Sequence, residues 1–226
     1  SAAAEIRAPD GVDLTLQNGL GNADILARAL NPKKVITGTT SYGSMVMGPG
    51  SIRHAGIGPT VIGPWAGGDL NKVRAVARIL TKGSIETEVK ADVKALVWNK
   101  LMVNVGINSI VALTHIKNGQ LVDLEMTKRL SRAAIEESLA VSKALGIDVR
   151  KDAVEHFWWV AKETGKTRAS MGQDVDAKRQ TEIGTINGAV VRLGKELGIE
   201  TPINFALTAL IETWQNHYLN TEERHP

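Results

Sequence analysis

Residues 97–108 read V-W-N-K-L-M-V-N-V-G-I-N, and this stretch decides the fold of the second half of the chain. It lies within a longer segment, about residues 91–116, in which apolar residues recur with helical spacing and no proline intervenes. We therefore predict one helix there. Lys100, Asn104 and Asn108 are four residues apart, so an amine and two carboxamides form a row along one face of that helix. The remaining positions are largely apolar, which predicts that the helix is buried on most sides.

An amine on a largely buried helix is unusual, because lysine is rarely buried without a partner or a function. Burial lowers the pKa of an amine, and such a lysine can donate a proton near neutral pH. Asparagines beside it can hold a polar substrate without competing for the proton. The alternative is that Lys100 extends to solvent and the two asparagines bond to neighbouring backbone. The spacing alone leaves both interpretations open.

The composition restricts the class of protein. The chain has 226 residues, 43% of them hydrophobic, which is enough for one large domain or two modest ones. Cysteine is absent and the five histidines are not spaced like metal ligands, so we expect neither disulfides nor a metal site. The net charge is only +3, and the basic residues are dispersed among acids without a basic run that includes aromatics, which argues against a nucleic-acid partner. We find no apolar run of transmembrane length and no leader, so we expect a soluble, cytoplasmic protein without a membrane partner.

The first ninety residues alternate between strand and helix patterns, as in an open α/β sheet. The predicted strands are residues 14–16, 35–40, 51–54, 60–62 and 85–89, and the predicted helices are residues 22–30, with Asn22 as N-cap, and 69–80. Ligands of such sheets lie beyond the carboxyl ends of strands. Asn18-Gly19 follows one strand, and Thr39, Thr40, Ser41 and Ser44 lie at or after the end of another. Both sets could reach a ligand there, although each also fits an ordinary turn or polar loop.

From about residue 91 onward the strand pattern stops. The predicted helices are residues 91–116, 123–145, 151–164, 179–197 and 203–217, with a loop at 165–173. The aromatic cluster at residues 157–159 is interpreted first as core or interface packing. The change of pattern near Val89 divides the chain into two domains, residues 1–90 and 91–226. We expect the active site between them.

Five stretches, in this order, resemble the ketopantoate reductase (2-dehydropantoate 2-reductase) family. They are Gln17–Gly21; Gly38–Thr40 with Pro49–Gly50; Trp98–Lys100 with Asn104, Asn108 and the later Asn118–Gly119; Ser170–Asp174; and Thr181–Ile183 with Ile186–Gly188. The resemblance implies an α/β plus all-α fold. A partial Rossmann-like sheet would precede a helical C-terminal domain like that of 6-phosphogluconate dehydrogenase. It also implies NADPH-dependent reduction of 2-dehydropantoate to pantoate, in pantothenate and coenzyme A biosynthesis.

The resemblance implies roles on the substrate side of the site. Lys100 would be the general acid, which protonates the carbonyl oxygen of a 2-oxo acid as hydride arrives at the carbonyl carbon. Asn104, Asn108 and Asn118 would hold the hydroxyl and carboxylate region of the substrate. Ser170 would hydrogen-bond the substrate carboxylate.

The resemblance also implies roles on the cofactor side. Asn18 would touch both nicotinamide and substrate, and Ser44 would contact NADP. Glu182, counted with Lys100 as catalytic, would hold cofactor or substrate hydroxyls near the reaction centre. Glu182 also offers Lys100 an opposite charge, which would oppose the effect of burial on the lysine pKa.

Two departures from the family pattern affect these expectations. The sequence contains no Gly-x-Gly-x-x-Gly phosphate turn. We interpret the chain as an incomplete form without the first β-α-β half of the cofactor domain, which should bind NADPH poorly. The choice between NADPH and NADH is not readable from the remaining segment. Gly184 stands where the family commonly has Asp, which bears on the identity of the substrate.

Other functions stay open. The chain could reduce another branched 2-oxo acid, because no residue of the sequence can be assigned to contact with the gem-dimethyl group of 2-dehydropantoate. It could also be a non-catalytic helical binding or oligomerisation module with an inherited, idle site. We expect a homodimer, through apolar helix faces that include Trp158, Trp159 and Trp214.

Overall fold

The structure is a computed structural model that describes residues 8–222, apart from the side chains of Ala55, Thr221 and Glu222. Its contacts divide the chain into an α/β unit, Ser1–Gln17 with Gly21–Val97, and a helical unit, Asn18–Leu20 with Trp98–Pro226. The predicted domain ranges, 1–90 and 91–226, stay a prediction. Their ends at residues 1–7 and 223–226 lie outside the described residues.

The α/β unit contains a four-stranded sheet and a separate hairpin. The strands of the sheet lie in the order β1 (Asp13–Thr15), β2 (Val35–Thr40), β5 (Thr60–Pro64) and β6 (Thr87–Val89). β1 is parallel to β2 and β5 is parallel to β6, whereas β2 and β5 are antiparallel. The hairpin pairs β3 (Gly43–Gly48) with β4 (Ser51–Gly56). The helices are α1 (Asn22–Ala29) and α2 (Leu70–Lys82), with a short 3-10 turn at Pro32–Lys34.

The core of this unit lies between the two central strands and α2. Ile36 of β2, Ile62 of β5 and Val73 and Ala77 of α2 are buried together. The apolar residues of α2 recur on one side of the helix, which is the pattern of a helix packed on a sheet. Asp69 caps it by accepting a hydrogen bond from the Asn71 backbone N–H at 2.8 Å.

The helical unit has no strand among its described residues. Its helices are α3 (Lys94–Thr114), α4 (Gln120–Asp123), α5 (Glu125–Ala144), α6 (Ala153–Glu163), α7 (Ser170–Asp176), α8 (Asn187–Leu197) and α9 (Pro202–Glu222). α3 is central, since eleven of its 21 residues are buried. A Cβ atom added at Gly106 would lie 2.7 Å from the Phe157 ring and 2.9 Å from Ile135. The glycine therefore lets α3 approach both α5 and α6 closely.

A partly buried carboxylate lies at the start of α9. Glu137 of α5 accepts hydrogen bonds from the backbone N–H groups of Ile203 and Asn204, at 2.8 and 2.9 Å. The Asn204 side chain also donates to Glu137 and accepts from Asn187 at the start of α8. These bonds satisfy N–H groups that a helix start leaves without internal partners. They fix α5, α8 and α9 relative to one another.

By length and composition alone, α3 could cross a membrane, contrary to our expectation from the sequence. Its most apolar window has a mean hydropathy of 1.4, and 61% of that window is buried inside the protein. A core helix of this length passes the same test. The burial of α3 is therefore the more informative observation.

The fold class is confirmed, and four local predictions were wrong. Gly21, in the left-handed region at φ 95°, precedes the first residue of α1, so Asn22 is not its N-cap. Residues 43–48 form β3, a strand that we did not predict because this stretch is rich in glycine. Part of the predicted loop at 165–173 is helix, because α7 starts at Ser170. Glu182 lies in a turn before α8 rather than in a helix from residue 179, since its carbonyl accepts the N–H groups of Thr185 and Ile186.

Candidate functional site

Lys100 lies on the partly buried side of α3, with Asn104 and Asn108 on the following turns of the same face. Burial lowers the pKa of the Lys100 amine below its ordinary value, and the negative charge of Glu182 opposes part of that effect. The desolvation of the amine is the larger of the two influences. The geometry therefore provides an amine that loses its proton more readily than a lysine in water.

Glu182 faces the segment that follows β1. The Asn18 carboxamide donates from Nδ2 to Glu182 Oε2 at 2.9 Å, across 164 residues of sequence. The neighbouring Leu20 N–H donates to the Thr185 carbonyl at 2.7 Å. Asn18 is thereby held against the turn that carries Glu182.

Gly19 allows residues 18–20 to lie against the turn that carries Glu182. Its φ is +83°, a conformation that L side chains rarely adopt, and an added Cβ would lie 2.3 Å from the Thr185 carbonyl oxygen. The Thr185 hydroxyl donates to the Glu182 carbonyl at 3.1 Å, which closes the turn from the other side. Gly19 and Thr185 therefore set the place of Asn18 relative to the Glu182 carboxylate.

The orientation of the Asn118 amide is fixed by two threonines. Nδ2 donates to Thr164 Oγ1 at 2.9 Å and to Thr167 Oγ1 at 3.3 Å. Both hydroxyls already donate their own protons, to the carbonyls of Val160 and Thr164, so they can only accept from Asn118. The Asn118 side chain is 5% exposed and its Oδ1 is buried without a partner. An acceptor is thus held ready for a donor.

Asn104 presents the opposite kind of group. Its Nδ2 donor is buried and has no hydrogen-bond partner, and Asn108, one turn further along α3, is only 5% exposed. Unpaired buried polar atoms are few in native proteins, and a bound molecule can supply the missing partner of such an atom. Within the described part of the chain, the same condition applies to Ser109 Oγ and Asn187 Oδ1.

Two predicted site residues are exposed. Ser170 is the first residue of α7, and its hydroxyl has no hydrogen bond to another described residue. Ser44 lies on β3, opposite His54 of β4. The structure thus places seven of the eight predicted residues in the helical unit and Ser44 in the α/β unit.

Four residues without a predicted role also shape the site. Thr164 and Thr167 orient Asn118, and Thr185 supports Asn18. Arg168 binds Asp176 with two hydrogen bonds and donates from Nη1 to the Val111 carbonyl at the end of α3, at 2.8 Å. No sequence signal marks them, because each acts through residues far away in the chain.

The comparisons with known proteins agree on one family. Residues 92–215 match the family model described as ketopantoate reductase PanE/ApbA C terminal, and residues 1–67 match ketopantoate reductase PanE/ApbA. A 2-dehydropantoate 2-reductase of Halobacterium salinarum is 39% identical over 202 residues, which cover 89% of this chain and 67% of the relative.

Solved structures give the same result. The PanE/ApbA family ketopantoate reductase of Ralstonia eutropha JMP134 has a TM-score of 0.84 at 31% identity, covering 94% of this chain and 69% of its own. D-mandelate dehydrogenase in complex with NADH and anilino(oxo)acetate has a TM-score of 0.89 at 23% identity, covering 95% and 71%, and shares the fold. This chain therefore spans about two thirds of the length of its relatives.

Proposed function

Because the chain belongs to the ketopantoate reductase family, we propose that it binds 2-dehydropantoate and supplies the proton for its reduction to pantoate. The observation that carries the proposal is Lys100, a lysine whose pKa is lowered by burial and which feels the charge of Glu182. It is in line along α3 with Asn104, a buried donor without a partner. An amine of this kind suits general acid catalysis near neutral pH.

The unpaired atoms support this class of substrate. 2-Dehydropantoate carries a hydroxyl, a ketone and a carboxylate. The hydroxyl is a donor that suits the unpaired Asn118 Oδ1, and the two carbonyl-type groups are acceptors that suit Asn104 Nδ2. We assign Asn108 to the same region and the exposed Ser170 hydroxyl to the carboxylate. A ligand that pairs these atoms removes the cost of leaving them buried and unbonded.

The reaction requires one proton and one hydride at the carbonyl group. In its protonated form, Lys100 Nζ donates a proton to the carbonyl oxygen, and the lysine is left neutral. Its lowered pKa makes that neutral form more accessible than it would be in water. Asn104, Asn108 and Asn118 keep the substrate oriented while the proton moves.

A nicotinamide cofactor fits the residues that follow the strands. β1 and β2 are parallel, so residues 17 and 41 leave the sheet at the same edge, where α/β sheets bind ligands. We propose NADPH as the cofactor, held by Asn18, Ser44 and Glu182. When bound, it supplies the hydride. The hydrogen bond from Asn18 to Glu182 supports this assignment, since it keeps both side chains ordered.

The test measures nucleotide oxidation at 340 nm by the natural full-length protein that contains these 226 residues. The substrates are 2-dehydropantoate and 3-methyl-2-oxobutanoate, a branched 2-oxo acid without the hydroxyl, each with NADPH and with NADH. We expect NADPH-dependent reduction of 2-dehydropantoate, with kcat/KM at least about tenfold above the analogue, because the analogue leaves Asn118 Oδ1 unpaired. Equal rates for both acids would favour a reductase of another branched 2-oxo acid. No oxidation with either nucleotide would favour the non-catalytic module.

A matched pair of variants tests the assignment of Lys100. Lys100→Ala should reduce turnover by about 10²–10⁴, whereas Lys94→Ala, which removes an exposed lysine six residues earlier on the same helix, should leave it nearly unchanged. Similar losses in both variants would contradict the role of Lys100. Intact mass and a melting curve of each variant establish that the proteins compared are folded and complete.

Two further proposals concern the whole protein. We propose that it acts in pantothenate biosynthesis, as the family resemblance implies, and that it does so in the cytoplasm. We also propose a homodimer. Trp158 and Trp214 are largely packed within the helical unit, but Trp159 is 58% exposed and Phe205 and Leu210 of α9 are exposed as well. Sedimentation equilibrium tests the dimer directly, and a monomer would overturn it.

A further inference from the structure

The turn that carries Asn118 is paired through its backbone with residues 164–167, the segment that precedes Ser170. The Asn118 N–H donates to the Thr167 carbonyl at 3.0 Å, and the Gly119 N–H donates to the Gly165 carbonyl at 3.2 Å. Together with the bonds from Asn118 Nδ2 to the two threonines, these contacts join residues 118–119 to residues 164–167. The orientation of the Asn118 amide therefore depends on where the second segment lies.

Arg168 determines where that segment lies. Its Nη1 donates to the carbonyls of Val111 and Ile116, at 2.8 and 3.3 Å, so the guanidinium holds the end of α3 and the turn before Asn118. Its Nε and Nη2 donate to the two oxygens of Asp176, the last residue of α7, at 2.5 and 3.0 Å. One side chain thus joins α3, the Asn118 turn and α7, the helix that starts at Ser170.

The surroundings of the guanidinium suit arginine rather than a general cation. The side chain is 17% exposed, and its planar fork binds the carboxylate with two parallel bonds while the third nitrogen reaches the carbonyls. A Cβ atom added at Gly172 would lie 3.0 Å from Arg168 Cζ and Nε. The glycine of α7 therefore leaves room for the guanidinium, and lysine could not reproduce all of these bonds.

We propose that Arg168 is a positioning residue for substrate binding. It holds Asn118 and Ser170, which come from separate elements, in a fixed relation to the end of α3. This inference rests on the proposed function, because the roles of Asn118 and Ser170 come from there. Arg168 itself acts through those residues.

The kinetic test compares Arg168→Ala, Arg168→Lys and a control, Arg179→Ala, in the full-length protein. Arg179 also pairs with an aspartate, Asp174 at 2.8 Å, but it is 60% exposed and has no bond to the Asn118 turn. We expect Arg168→Ala to raise the KM for 2-dehydropantoate about tenfold or more, the loss of roughly one hydrogen bond to substrate, with kcat and the KM for NADPH nearly unchanged. Arg168→Lys should recover part of the effect, and the control should show none.

If Arg168 had only a structural role, the substitution would change kcat and KM differently. In that case, Arg168→Ala would lower the melting temperature and the active fraction, so kcat would fall while the KM for 2-dehydropantoate stayed constant. That outcome overturns the proposal. If Arg168→Ala does not fold, Gly172→Ala replaces it. This variant keeps the charge, displaces the guanidinium slightly, and should raise the same KM by a smaller factor.

A measurement without substrate separates this inference from the proposed function. In hydrogen exchange followed by mass spectrometry, peptides containing Asn118 and Gly119 should exchange faster in Arg168→Ala than in Arg179→Ala. A wild-type protein that reduces no 2-oxo acid would refute the proposed function, and the exchange result would still decide whether Arg168 positions the turn. Unchanged exchange in both variants would refute the positioning role, whatever the enzyme reduces.

Discussion

The row of Lys100, Asn104 and Asn108 on α3 and the Asn118 amide are positioned by different means. On α3, helical periodicity alone puts Lys100, Asn104 and Asn108 on one face, so the short stretch that contains them suffices to place them. The Asn118 amide is instead oriented by Thr164 and Thr167, which lie 46 and 49 residues further along the chain. Local periodicity therefore determines which groups share a face, whereas long-range contacts determine which of their atoms stay available to a ligand.

The largest effect is expected when the Lys100 amine is removed. Lys100→Met should reduce turnover of 2-dehydropantoate by about 10²–10⁴, the usual contribution of a general acid. It should also raise the melting temperature near neutral pH, because methionine has no charge to bury. Steady-state kinetics and thermal denaturation of the same samples measure both.

The stability advantage of Lys100→Met over the wild-type protein should depend on pH in a defined direction. The pKa of Lys100 is lower in the folded chain than its ordinary value of 10.5, so the unfolded chain binds the proton more strongly. The wild-type protein therefore gains stability as pH rises from the lowered pKa towards 10.5, and the advantage of Lys100→Met should shrink over that range. A constant advantage at all pH values would mean that burial does not perturb the amine.

A slightly smaller effect is expected from Gly19→Ala, at a second contact between segments that are far apart in the sequence. The new Cβ would collide with the Thr185 carbonyl at 2.3 Å, and the φ of +83° disfavours alanine as well. We expect Asn18 to lose its bond to Glu182 and the KM for NADPH to rise, with reduced stability.

Gly146→Ala is the control for Gly19→Ala. Gly146 also has a positive φ, +68°, but a Cβ there meets no atom within 4 Å. It should therefore show the cost of the backbone conformation alone. If both variants bind NADPH equally well, the contact between Gly19 and Thr185 has no functional role.

Local signals in the sequence predicted some of these elements, and contacts between distant residues determined the others. β2, α2 and α3 were predictable because apolar spacing is a local signal. The turn at Glu182 was not, because bonds from Thr181 to Gln215 of α9 and within residues 182–186 replace the helix that the spacing suggested. Arg168 could not be recognised either, since its acceptors are backbone carbonyls and an aspartate that the sequence does not connect to it.

A moderate effect is expected from Glu182, whose charge acts on Lys100. The charge of Glu182 raises the pKa of Lys100 against the effect of burial. Glu182→Gln removes that charge while an amide oxygen can still accept from Asn18, so the Lys100 pKa should fall further. Because the general acid works only while protonated, the alkaline limb of the kcat profile should move to lower pH. Glu200→Gln, at an exposed acid of the same unit, should leave the limb in place.

The smallest expected effect concerns Gly184, the position at which the family resemblance led us to expect Asp. A Cβ at Gly184 meets no atom within 4 Å, and the Gly184 carbonyl already accepts from Arg192 Nη1 at 2.7 Å. Gly184→Asp should therefore fold normally, with a melting temperature close to that of the wild-type protein. Because Gly184 lies two residues from Glu182, any functional effect should appear as a change in the ratio of kcat/KM between 2-dehydropantoate and 3-methyl-2-oxobutanoate. An unchanged ratio would mean that Asn104 and Asn118 determine the choice of substrate instead. The unpaired Asn104 Nδ2 requires an acceptor in the ligand, whereas the unpaired Asn118 Oδ1 requires a donor.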